Sequence, residues 1–163
     1  MKSAKTFSTS IDLNASTREQ MIDLLNQQLA DTFDLYSQTK QAHWNVKGPQ
    51  FIALHELFDK LAGQLEGSID DIAERAVALG GVATGTVRMA ANDTRLPEYP
   101  LDISMGLAHV EALVERYSHL AASTRQAIDK ANNANDADTA DLFTQLSREL
   151  DKALWFLEAH LQE

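Results

Sequence analysis

Residues 81–102 read "GVATGTVRMAANDTRLPEYPLD", and the length of this stretch decides how the rest of the chain folds. On either side of it the sequence is helical in period, with almost no strand signal. Upstream, Met21, Leu25, Leu29, Thr32, Tyr36, Thr39, His43 and Val46 recur in steps of three and four, which sets them on one stripe of a first helix. Ser16 and Glu19 in "STRE" form a capping box that predicts its start. Gly48-Pro49 ends it and opens the next. A second helix is predicted over about residues 50–79, with Leu54, Phe58, Leu61, Leu65, Ile69, Ile72 and Ala76 on its face and Gly80-Gly81 closing it. Downstream, a third helix is predicted over about residues 102–131 through Leu107, Val110, Val114, Tyr117 and Ala121. The polar run "NNANDAD" interrupts it, and a fourth helix carries Leu142, Leu146, Leu150, Leu154, Trp155 and Leu157 nearly to the end.

Tight turns make helices one and two antiparallel neighbours, and likewise three and four. The stretch between the pairs is too long for a hairpin. A helix of roughly 30 residues is about 45 Å long, and roughly 20 extended residues reach at most about 66 Å. The stretch can therefore run the length of a bundle. The expected fold is all-α: a ferritin-like four-helix bundle with one long crossover between helices two and three, with room in it for a short helix.

Composition sets the outer bounds. The 163 residues suit one domain, expected over 1–163 with residues 1–15 as a flexible N-terminal tail. "MKSAKTFSTSIDLNAS" holds no apolar run of signal-peptide length, and nothing later reaches the roughly 18 apolar residues of a membrane span. The chain has no cysteine, which excludes thiolate metal sites, disulfides and cysteine nucleophiles. A cytoplasmic location is the expectation. The formal net charge of −10 repels nucleic acid and attracts cations. The one candidate DNA contact is an N-terminal arm with Lys2 and Lys5, partly offset by Asp12.

The chemistry-bearing residues cluster in "QAHWNVKGPQFIALHELFDK", residues 41–60, and just beyond. His55 and Asp59 are four apart and share a face of helix two; Asp70 and Glu74 are again four apart. Such an acid pair on an arbitrary helix is usually just a solvated face. Here Asp59 and Asp70 are eleven residues apart, close to three whole turns, so both pairs lie on one side. His43 reaches toward the same region from helix one. Imidazole with carboxylate suits iron, manganese or zinc. No Glu-x-x-His occurs, which argues against a binuclear centre inside one bundle. Eleven helical residues span roughly 16 Å, so the two pairs cannot hold one ion within a chain. They can if helix two meets a copy of itself antiparallel about a two-fold axis near Gln64 and Leu65, where Gly63 and Gly67 permit close approach.

These residues carry a resemblance. "QAHWNVKGPQFIALHELFDK", then "DDIAERAVALGG", "YPLD" and "RELDKALWFLE", closely resemble the Dps family of mini-ferritins across about residues 31–160. The resemblance implies a hollow homododecamer built on two-fold dimers that oxidises Fe(II), preferably with hydrogen peroxide, and stores a ferric mineral. It implies that His43, His55 and Asp59 of one chain join Asp70 and Glu74 of a partner in a ferroxidase site for iron. Trp44 matches a tryptophan beside that site, as an electron donor or as an interface aromatic. Asp136, Asp138 and Asp141 open helix four as caps, and the resemblance implies that the start of this helix lines an iron-entry pore. The N-terminus departs from the family's DNA-condensing members, which have longer lysine-rich tails. Weak DNA binding, with nucleoid association only if DNA is bound, is the expectation. His109 and His119 are read as surface groups, the latter four residues after Glu115, and His160 as a match to a helix dipole.

Overall fold

Asn14, not Ser16, caps the first helix. Its side-chain oxygen accepts the Thr17 N–H at 2.8 Å, and α1 runs over Ala15–Asn45. The earlier start has a packing cause: Leu13 lies against the core, and its carbonyl accepts a 2.6 Å bond from Arg18. The computed structural model describes residues 5–162. Among these the regular elements are α1, α2 (Phe51–Ala78), α3 (Val87–Asp93), α4 (Gly106–Asn133) and α5 (Ala137–Glu158). The fold is all-α, and α3 is the short helix for which the crossover had room.

The α1–α2 and α4–α5 pairs pack along their lengths, as their tight turns require. Gly48 at the first turn has φ +107, a left-handed conformation that suits glycine. Leu25, Leu29, Leu54, Phe58, Leu113 and Phe143 meet in the core, each at most 1% exposed. The crossover leaves the C-terminal end of α2 and arrives beside the α1–α2 turn. There Lys47 N–H donates to Ser104 O and Gly106 N–H to Lys47 O, both at 3.0 Å. Its two ends therefore lie at opposite ends of the bundle, as its length predicts.

A row of polar side chains on α1 binds the crossover. Asn26 exchanges bonds with Val82 O and Thr84 N–H. Asp31, with its side chain only 2% exposed, accepts the Arg95 backbone N–H at 2.8 Å and the Arg95 guanidinium at 2.9 and 2.5 Å. Asp34 accepts from Thr94, and Gln38 donates to Pro97 O. From the other side Arg116 of α4 donates to Gln38 at 2.7 Å and to the Glu98 carbonyl. Part of the N-terminal segment is attached to the bundle. Phe7 N–H donates to Gly80 O at 2.8 Å, and Ile11 and Leu13 pack on the core.

Asp31→Ala removes the carboxylate that Arg95 grips. Breaking a buried pair costs about 3–5 kcal/mol, and the half-exposed Arg95 recovers part of that by rehydration. We expect a loss of about 2–3 kcal/mol in chemical denaturation, together with faster amide exchange over residues 87–105. Unchanged exchange there would show that Asp31 does not anchor the crossover.

Candidate metal site

The site begins with two carbonyls and two rings. His43 lies in the last turn of α1, where carbonyls lack helical partners. Its carbonyl accepts from His55 Nδ1 at 2.9 Å, while His43 Nδ1 donates to the His55 carbonyl at 2.8 Å. A carbonyl can only accept, so both Nδ1 atoms carry a proton, and in the neutral rings both Nε2 atoms keep a lone pair. The rings stack with centroids 3.8 Å apart. This reciprocal exchange fixes tautomer and orientation together, as the outer hydrogen bond of a ligating histidine does.

Asp59 stands next to them, its Oδ1 3.8 Å from His43 Nε2. The Lys40 ammonium sits 2.7 Å from the same oxygen. Through this hydrogen bond and its charge, Lys40 holds the Asp59 carboxyl below its ordinary value; the two imidazoles add to this and desolvation opposes it. Lys40 is also 5.9 Å from the centroid of the Trp44 ring, which is 66% exposed. Spacing alone could have indicated Lys40, since it precedes His43 by three residues and Trp44 by four.

The structure brings His43, His55 and Asp59 together but leaves Asp70 and Glu74 farther along the same outward stripe of α2, both exposed. Neither of these carboxylates forms a salt bridge among the described residues. Asp70 lines an open groove with Phe33, Tyr36, Glu66, Gly67 and Ile69. Among the described residues, no three His, Asp or Glu groups converge on one point within the chain. Between the two halves, a methyl group at Gly63 or Gly67 would touch nothing within 4 Å, so nothing inside the subunit requires glycine there. Leu65, expected near the symmetry axis, is buried and faces the core.

Other candidates fall elsewhere. The Asp136 carboxylate is 2% exposed; it caps α5 by accepting from Thr139 and pairs with Arg75 at 2.7 Å, so it is not open to solvent. Asp138, 84% exposed, is 3.7 Å from the same guanidinium, and Asp141 is exposed. Lys5 is exposed and lies 5.0 Å over the Phe7 ring; Lys2 lies outside the described residues. His119 is exposed as expected, but His109 is 1% exposed and bonded to Tyr99, because the crossover covers the face of α4 that a bare helix would present to water.

The family described as Ferritin-like domain matches residues 22–163. A DNA protection during starvation protein of Agrobacterium fabrum is 51% identical over 159 residues, 98% of either chain. Its counterpart in Mycolicibacterium smegmatis is 34% identical over 150 residues, 92% of this chain and 81% of that one. Among solved structures, DpsC from Streptomyces coelicolor superposes with a TM-score of 0.93 at 31% identity, covering 98% of this chain and 93% of that one. Mycobacterium smegmatis Dps in its tetragonal form gives 0.92 at 33% identity over 96% of each chain. A bundle with this crossover defines a ferritin-like protein. Within that class, the chain belongs to the Dps family.

Lys40→Met removes the largest influence on Asp59. We expect the Asp59 pKa, followed by carboxyl NMR, to rise toward the ordinary carboxylate value. Because the native value is depressed, Asp59 stays ionised to a lower pH than a free carboxylate does. In the variant, any metal binding that needs this carboxylate should be lost at a higher pH. An unmoved titration would mean that the ion pair does not persist in solution.

Proposed function

We propose that the chain is the subunit of a hollow cytoplasmic dodecamer that oxidises Fe(II), preferably with hydrogen peroxide, and stores ferric mineral, protecting the cell and its DNA from oxidative damage. The observation that carries this reading is the pair of lone-pair-bearing Nε2 atoms beside an ionised carboxylate, at one end of a stripe whose other end holds two unengaged acids. Antiparallel meeting of two α2 helices over Gly63 and Gly67 joins the halves. His43, His55 and Asp59 then face the partner's Asp70 and Glu74, and a dimer holds two equal sites. The imidazoles are neutral donors for Fe(II); the carboxylates are hard anionic ligands that favour the ferric product. Two Fe(II) ions supply two electrons to one peroxide, which takes up two protons and leaves as two waters, so no hydroxyl radical is released. Asp138 and Asp141 are the acids at the start of α5 that remain suited to an iron-entry pore, and Trp44, exposed near Lys40, serves as an electron donor or as an interface aromatic.

The relatives are named for DNA protection. On this chain a protective role is best served by consuming Fe(II) and peroxide together. Direct compaction of DNA is disfavoured by the −10 charge and by the attachment of the N-terminal segment at Phe7. No helix of the described chain is long and apolar enough to cross a membrane.

Glu74→Gln keeps size and removes a negative ligand. Its cages should assemble and lose peroxide-dependent iron oxidation by about 10²-fold, the upper end for loss of a metal-supporting group. Mixing inactive His55→Ala/Asp59→Ala subunits with inactive Asp70→Ala/Glu74→Ala subunits should restore part of the rate, since mixed dimers hold one intact site. Mixed cages that remain inactive would refute the shared site. Duplex DNA at neutral pH and moderate salt should bind weakly, with lower pH or magnesium improving it; tight binding at pH 8 without divalent ions would show that the terminal lysines dominate.

A further inference from the structure

Residues 97–105 close the crossover and are fastened to the bundle by polar contacts. Gln38 of α1 donates to Pro97 O at 3.0 Å, and Arg116 of α4 donates to the Glu98 carbonyl. Lys47 shares backbone bonds with Ser104 and Gly106. A further side-chain contact joins the Tyr99 hydroxyl to His109 Nδ1 at 2.6 Å, with the two rings 14° from parallel. An amide, a guanidinium and the backbone keep their charge at any ordinary pH. Of these groups His109 alone changes charge between pH 5 and 8.

The surroundings of His109, 1% exposed, disfavour that charge. From α1 the Asn45 carbonyl faces Nε2, near enough to favour a proton there while lying outside hydrogen-bond geometry. Nδ1 therefore holds the lone pair, and the Tyr99 phenol, whose own ionisation burial pushes far up, donates to it. Beside that ring, Arg116 places its guanidinium carbon 5.5 Å from the centroid. From α2, Leu54 and Gln50 adjoin Gly106 at the start of α4, and the end of α5 brings the buried Leu157 to the same core. The charged side chains at this end, Lys47 of the α1–α2 turn and Glu158 of α5, are exposed. Among the described residues no carboxylate comes within 4.0 Å of either ring nitrogen. An imidazolium here would be buried without an anion, and burial holds the imidazole below its ordinary value.

Protonation sets two donors against each other. An imidazolium carries hydrogen on both nitrogens, so Nδ1 can no longer accept. The phenol must then turn its proton away, and it has no second partner among the described residues. We infer that the Tyr99–His109 contact is an acid-sensitive latch: closed at neutral pH, it holds residues 97–105 against α4, and acidification opens it and frees the end of the crossover beside the α1–α2 turn. Because the native imidazole value is depressed, closure has full strength above about pH 6.5, the ordinary histidine value, and weakens as pH falls below it.

Hydrogen–deuterium exchange on the metal-free assembled protein, with rates referred to unstructured peptides at each pH, tests the latch. Protection of residues 97–105 should fall about tenfold between pH 7.5 and pH 5.5, as linkage gives for one histidine that regains its ordinary value on opening. The middle of α1 should stay protected. His109→Asn sets an amide oxygen near the place of Nδ1 and cannot titrate, so it should keep protection at pH 7.5 and flatten the profile. Tyr99→Phe should lower protection at pH 7.5 about fivefold, the loss of one hydrogen bond. A flat profile in the wild type overturns the inference, as does a fall of equal size in His109→Asn. Ultraviolet resonance Raman decides the matter without that variant, should it fail to assemble. The difference between wild type and Tyr99→Phe isolates the Tyr99 phenol, which should donate a hydrogen bond at pH 7.5 and lose it by pH 5.5. A donor bond unchanged at pH 5.5 overturns the latch.

Discussion

A carboxylate as buried as that of Asp31 is stable in the folded chain because Arg95 supplies three donors to it and Gln27 a fourth at 3.4 Å. That requirement ties the middle of the crossover to the middle of α1. With the crossover laid along α1, its far end reaches the α1–α2 turn, and α4 starts there, bonded through Lys47 to the segment that follows His43. The surface along which the crossover runs thus depends on one ion pair, buried at its Asp31 end, and the polar row around it. Apolar burial holds the helices together, but it is nearly indifferent to which surface the connecting segment crosses.

The same economy of partners shapes the candidate site. The end of α1 leaves carbonyls without helical donors, and the His43 carbonyl is met by the imidazole of His55. Structural satisfaction of the backbone and orientation of the two rings are here one interaction, which in the neutral imidazoles leaves the lone pair on each Nε2. Lys40 plays a related part at Asp59, setting a positive charge 2.7 Å from its carboxylate. On α2 the inward side is apolar and closed, while the outward side carries acids and two glycines that nothing in the subunit explains. Such an outward face makes sense as half of a larger object.

Buried polar groups on α4 follow from the crossover as well. His109 and Arg116 would be solvent-facing on a bare bundle. Covered by residues 94–105, they must find partners, and they find Tyr99, Gln38 and the Glu98 carbonyl. His109 remains incompletely paired. Incomplete pairing of a buried titratable group is costly.

The sequence by itself determined the helices, their order, the length of the crossover and the alignment of His55, Asp59, Asp70 and Glu74 on one face. These are consequences of local periodicity and rise, which any chain with those spacings obeys. It also implied the pairing of His43 with His55, since a tight turn between two helices brings their adjoining ends together. Only the tertiary structure decided which polar residues are buried. Asn26, Asp31, Asp34 and Gln38 repeat at helical spacing much as a solvated face does, and nothing local tells a face wetted by water from one covered by a distant segment. For that reason Asp136, expected as a helix cap, is also one side of a buried ion pair with Arg75, and His109, read as a surface group, is a buried partner of Tyr99. The attachment of Phe7 likewise depends on the Gly80 carbonyl, which lies far along the chain and is brought near only by folding.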